Sequence, residues 1–316
     1  MKKKYLILLF TILLLLLAVL YKSKQNKNSL IYSFYHWENS YNIKKNKEKL
    51  YIKVLDIDYS NKLEIIKTRF NVKPPKNFIP VIYITNKTMK TIKANKLASK
   101  VLKALDSYRF TYDELQIDCD WSLNSKANYF EFLKLLKTNL NKKLSATIRL
   151  HQIKYYKKTG VPSVDYGLLM YYNMSYIGDY NTKNSILDNN IAKKYQYNFD
   201  KYPLKLKLAL PLYSQAVQFR YKKPLDIFEG IVQTDFDEKF EKLKNGYFKV
   251  LQSHYFKGRY VYEGDIFRFE DSKKQDLKIA LEDFFKISNN RFDEIVFYTI
   301  KYKNKYDLQK LLKAIL

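Results

Sequence analysis

At 316 residues, 47% of them apolar and 28% charged, the chain carries enough hydrophobic side chain for one large core, which excludes a disordered polymer. Its 58 basic residues exceed 31 acidic ones by a net +27, but seven are arginine and 51 lysine, so the charge describes a basic surface drawn to acidic polymers or headgroups rather than a nucleic-acid reader, which favours forked guanidinium groups. A single cysteine, Cys119, excludes a disulfide framework and a Cys-based zinc site, and three histidines (His36, His151, His254) without helical ligand spacing predict no metal and no cofactor.

The chain opens Met1-Lys2-Lys3-Lys4 and then runs apolar over residues 5–21. A basic segment ahead of an apolar one directs a chain to a membrane. Leu17-Ala18-Val19-Leu20 lacks a small-x-small cleavage pattern, and no cysteine follows to carry a lipid. Residues 1–28 are therefore expected to be a signal anchor, one transmembrane helix with a short polar linker. It would hold residues 29–316 outside the cytoplasm, at the cell surface or in the periplasm.

From residue 31 a pattern recurs: a short β-branched or aromatic run, a polar tip, then a connecting segment. Eight such runs occupy 31–37, 50–57, 78–84, 115–121, 144–150, 167–173, 205–213 and 294–300. The clearest intervening helix is 125–140, where Tyr129, Phe132, Leu133, Leu136 and Leu140 recur at three- and four-residue steps. The connections 60–77, with Pro74-Pro75, and 151–165, with Gly160 and Pro162, read as irregular. The stretch 214–290 is too long for one loop. It carries strand-like runs at 247–251, 259–262 and 266–269, turns at Gly258 and Gly264, and a helix over 274–287. Eight strands alternating with helices most simply close into an α/β fold, a (β/α)₈ TIM barrel, with 214–290 inserted after strand seven.

In such a barrel alternate strand residues point inward, and working groups stand at the C-terminal strand ends. In Leu115-Gln-Ile-Asp-Cys-Asp-Trp-Ser122 the odd set (Leu115, Ile117, Cys119, Trp121) is apolar and should face the helices. The even set, Gln116, Asp118, Asp120 and Ser122, should line the interior. Two carboxylates on one inward face repel, so one is expected to keep its proton or lean on a cation. By the same alternation the fifth run turns Ser145, Thr147, Arg149 and His151 inward, which makes Arg149 the natural counter-charge. This pattern serves glycosidic acid–base work, and it equally serves an ion-pair network that only orders a barrel.

Several of these runs resemble the chitinase family of glycoside hydrolases. Ile117-Asp-Cys-Asp-Trp121 resembles that family's fourth-strand signature, in which alternating aspartates lead to a catalytic glutamate. Met170-Tyr-Tyr-Asn173 and Ala209-Leu-Pro-Leu-Tyr213 resemble its sixth and seventh strands, and Tyr35-His-Trp37 and Tyr298 stand where it has aromatic residues. The matches follow the family's order from residue 31 to 300, and they imply a barrel with a carbohydrate partner. The resemblance also implies a reaction in which the substrate's N-acetyl group is the nucleophile and the glutamate the acid. Here Ser122 stands in the glutamate's place, Asn173 replaces an aspartate, and the run Pro80-Val-Ile-Tyr-Ile-Thr85 lacks the family's glycine pair. That chemistry does not transfer intact.

Three functions fit the residues. The first is a glycan hydrolase with Asp120 as proton donor and Asp118, its ionisation favoured by Arg149, as electrostatic partner. A second carboxylate would come from Asp56, Asp58 or Glu38. The second is a catalytically silent barrel in which Trp37, Tyr172, Tyr213 and Tyr298 stack on sugar faces. The third is a basic surface protein that binds anionic polymer by charge alone. The expected substrate contacts are Tyr35, Trp37, Glu38, Asp58, Arg149, His151, Tyr172, Asn173, Tyr213 and Tyr298.

Overall fold

The computed structural model describes residues 31–288 and 294–313. The expected anchor over 5–21 lies outside them, and no helix among the described residues is long and apolar enough to cross a membrane. Eight strands form the centre: β1 (Ile31–His36), β2 (Leu50–Tyr59), β3 (Ile79–Ile84), β4 (Glu114–Asp118), β5 (Lys143–Arg149), β6 (Tyr166–Met170), β7 (Leu206–Pro211) and β8 (Glu294–Tyr298). Each pairs in parallel with its neighbours, and β1 pairs with both β8 and β2, which closes the barrel.

Strand alternation sorts side chains into two layers. Leu115, Ile117, Cys119 and Trp121 pack outward with the helices, while Tyr35, Tyr51, Val81, Leu168, Ala209 and Val296 fill the interior. The outer layer is covered by α1 (Asn86–Thr91), α2 (Ala94–Asp106), α3 (Lys126–Asn139) and α4 (Lys274–Ile287). On α3 the three- and four-residue spacing buries Tyr129, Phe132, Leu133 and Leu136. Trp121 stacks on Tyr129 with ring centroids 5.1 Å apart, which anchors the segment after β4 to that helix. At the N-terminal end of the barrel the interior is polar but paired. Glu114 accepts from Tyr166 Oη and from Ser145 Oγ, and Lys207 Nζ lies 2.7 Å from Glu294.

Strict alternation along β2 would put Lys53 and Asp56 on opposite faces, but a register shift between Lys53 and Leu55 changes the parity of the strand. Lys53 and Asp56 therefore share a face and form a 2.9 Å ion pair. The 60–77 connection, read as irregular, is instead partly paired: Leu63–Lys67 folds back antiparallel on β2, and Arg69–Phe70 pairs with Ser40–Tyr41.

The seventh run forms a single barrel strand, and the insertion begins directly after it. β7 stops at Pro211, and Ser214–Arg220 leaves the barrel as the first strand of an antiparallel five-stranded sheet. Lys223–Glu229 and Ile266–Asp271 flank that strand, and Tyr247–Val250 and Phe240–Lys242 extend the sheet. Its core is aromatic: Phe228, Phe240, Phe248, Phe256 and Phe267 are buried together, and Phe236 stacks on Phe248 at 3.9 Å.

Candidate functional site

A cleft of about 480 Å³ opens at the C-terminal ends of the strands. Asp118 comes from the last residue of β4, Asp120 from just beyond it, Arg149 from the end of β5, and Tyr298 from the end of β8, where the Tyr298–Thr299 peptide is cis. Trp37, Tyr172, Asn173 and Tyr213 follow β1, β6 and β7 into the same cleft. Tyr298 is the hub of the aromatic lining, with ring centroids 5.6 Å from Tyr172, 5.7 Å from Tyr213 and 5.9 Å from Trp37. Asn173 has φ +55°, and its Oδ1 accepts from Tyr213 Oη at 2.6 Å, which ties the segment after β6 to that after β7.

The two aspartates meet opposite environments. Asp118 is buried at the cleft floor, and its Oδ1 accepts from Thr147 Oγ1 at 2.7 Å. Burial first, and the charge of Asp120 second, push its carboxyl up to about 6, against the opposing pull of Thr147 and Arg149. Asp120 instead reaches solvent, with its side chain 53% exposed, and takes a two-pronged pair from Arg149 Nε at 2.6 Å and Nη2 at 2.8 Å. Arg149 therefore pairs with Asp120 rather than serving Asp118 as expected, and of the two carboxyls it is Asp118 that burial raises. The cause is length of reach, since the guanidinium sits at the rim with Asp120 while Asp118 lies one strand step deeper.

Four expected contacts stand apart from the cleft lining. Tyr35 is fully buried in the barrel beneath it, its hydroxyl bonded to Gln116. Asp58 accepts from Thr85 Oγ1 at 2.7 Å, at the start of α1, because the hairpin after β2 carries it away from the opening. Glu38 lines a neighbouring cavity of about 310 Å³ on the far side of Trp37. His151 lines a side cavity of about 150 Å³ behind Arg149, and burial pushes its imidazole below the usual histidine value. Ser122, where the resembled pattern has its glutamate, is engaged with Asn86 Oδ1 at 3.3 Å and Ser125.

The sequence reading missed several lining residues. Tyr83 follows from alternation along β3 with Val81, and burial with the charges of Asp118, Asp120 and Asp56 pushes its phenol up to about 12. Gln215 and Glu229 arrive from the inserted sheet, whose strand pairing has no local signature in the sequence. One cleft wall is the segment around Ser175, Ile177 and Ser185, pinned by a buried ion pair. Arg268 Nε meets Glu270 at 2.6 Å, and Arg268 also donates to the Ile177 and Asp179 carbonyls. Glu270 accepts from Ser185 Oγ at 2.6 Å and Gln215 Nε2 at 2.7 Å.

No protein-family model matches the chain, and no curated protein matches it. Among solved structures it is similar to a chitinase from Chromobacterium violaceum, at 11% identity and a TM-score of 0.48 over 84% of this chain and 90% of that one. It is also similar to the spore cortex-lytic enzyme SleL of Bacillus cereus, at 14% identity and a TM-score of 0.46 over 92% of this chain and 75% of that one.

Proposed function

We propose that the protein is a glycan-acting hydrolase in which Asp118 is the proton donor. The observation that carries this reading is a carboxyl held protonated to about pH 6 at the floor of an aromatic-lined cleft. Thr147 donates to Oδ1, which in this reading leaves Oδ2 to carry the proton. A sugar stacked against Trp37, Tyr172 or Tyr298 would bring its glycosidic oxygen toward that proton; transfer accompanies cleavage of the bond to the anomeric carbon, and water supplies the new hydroxyl. Asp120 and Arg149 act as a rim pair that orients substrate hydroxyls.

In this reading residues 1–28 are a membrane tether, 29–316 the extracytoplasmic working unit, and 214–290 an insertion that builds part of the cleft. The apolar run behind three lysines supports the tether, and the +27 charge supports attraction to acidic surface polymers.

A second reading, a silent glycan-binding barrel, is favoured by one observation: Ser122 stands at the position of the resembled acid. The two separate in one experiment. Reducing ends and binding heats are measured for the protein and for Asp118→Asn on chitin oligosaccharides and bacterial cell-wall glycan. Hydrolysis predicts turnover reduced about 100-fold or more in the variant with little change in affinity. Binding without turnover by the unaltered protein supports the silent barrel instead.

A further inference from the structure

Resting on the hydrolase reading, we infer that Glu229, delivered by the inserted sheet, is the second catalytic carboxylate: the base that takes a proton from the attacking water. Glu229 ends the strand Lys223–Glu229 and lines the same cleft as Asp118. Its Oε1 accepts from Tyr302 Oη at 2.8 Å, and among the described residues no protein group bonds Oε2. Glu38 lines the separate cavity beyond Trp37, and three other carboxylates near the cleft are committed. Both oxygens of Asp120 bind Arg149, Asp56 pairs with Lys53, and Glu270 is buried against Arg268.

The backbone is shaped to hold Glu229 there. Gly230 has φ +79°, and its N–H donates to the Ser214 carbonyl at 2.7 Å. A Cβ at position 230 would stand 2.9 Å from Tyr302 Oη, so a side chain there would crowd the residue that holds the Glu229 carboxylate, in a backbone conformation that favours glycine. Tyr298 lines the cleft with both acids, and after burial the negative charges of Glu229 and Asp118 raise its phenol further. Glu229 and Asp118 thus line one aromatic cleft, one exposed and one buried.

The step balances as a single displacement. The Asp118 proton goes to the leaving oxygen as its bond to the anomeric carbon breaks. A water oxygen bonds that carbon from the opposite face, and its proton goes to Glu229. Solvent then returns both acids to their starting forms. Attack from the opposite face inverts the anomeric configuration.

The test uses the full chain with a glycan it cleaves. Glu229→Gln is expected to lower kcat about 100-fold or more, with Tm and glycan affinity unchanged, and azide should restore cleavage by forming a glycosyl azide of inverted configuration. Gly230→Ala, which displaces Glu229 without removing it, should lower kcat with no azide rescue. Proton NMR of the first-formed product should show the inverted anomer. Wild-type turnover in Glu229→Gln, or a retained anomer, overturns the Glu229 assignment while leaving the hydrolase reading standing. No cleavage of any glycan by the unaltered chain overturns both.

Discussion

Asp118 and Asp120 stand two residues apart on one face, and depth separates their chemistry. At the rim, solvent and the Arg149 fork stabilise a charged Asp120; one strand step below, burial disfavours the charged form of Asp118. Alternation along Leu115–Ser122 was enough to identify the pair, but not its depth, because the arginine's reach depends on how far β5 extends past β4. A stability consequence follows. The folded protein holds the Asp118 proton more tightly than the unfolded chain does, so stability is expected to fall as pH rises from about 4 to about 6. Asp118→Asn removes that burden and still accepts from Thr147. Thermal unfolding should show the variant's Tm matching wild type at pH 4 and exceeding it at pH 7, by up to about 3 kcal/mol of stability. A variant less stable at pH 7 would mean that the Asp118 charge orders the barrel.

At the level of elements, helix α3 and the alternation of β4 were legible because one hydrophobic period runs through each without interruption. The β2 bulge was not, since a single extra residue changes strand parity without changing composition. The inserted sheet was legible only as strand-like pieces; its pairing order depends on contacts between distant segments. Those contacts converge on Arg268 and Glu270, fully buried and shared by the sheet and the cleft wall. Arg268→Ala leaves the Glu270 charge buried without its cation and should cost about 3–5 kcal/mol in urea denaturation. Arg268→Met combined with Glu270→Gln should recover much of that loss, because no unpaired charge remains. Glycan affinity should fall in the single variant as the Ser175–Ser185 wall loosens; equal stability of single variant and wild type would show that the pair bears no load.

For the whole molecule, eight runs in order with polar C-terminal ends were sufficient to anticipate the closed barrel, because parallel strands need crossover segments of the lengths seen here. The tether is testable independently of the cleft. Strand β1 begins at Ile31, so deleting residues 1–28 removes no described element. The full chain is expected in the membrane fraction after high-salt washing, and the deletion in the soluble fraction. Salt-releasable binding of the full chain would instead assign the association to its basic surface. The central claim, that Asp118 works as a protonated acid, is tested most directly by the pH dependence of kcat/KM for glycan cleavage by the full chain. The account predicts a rate that declines tenfold per pH unit above about 6, as Asp118 loses its proton. A rate that stays level or rises from pH 6 to pH 8 would contradict it.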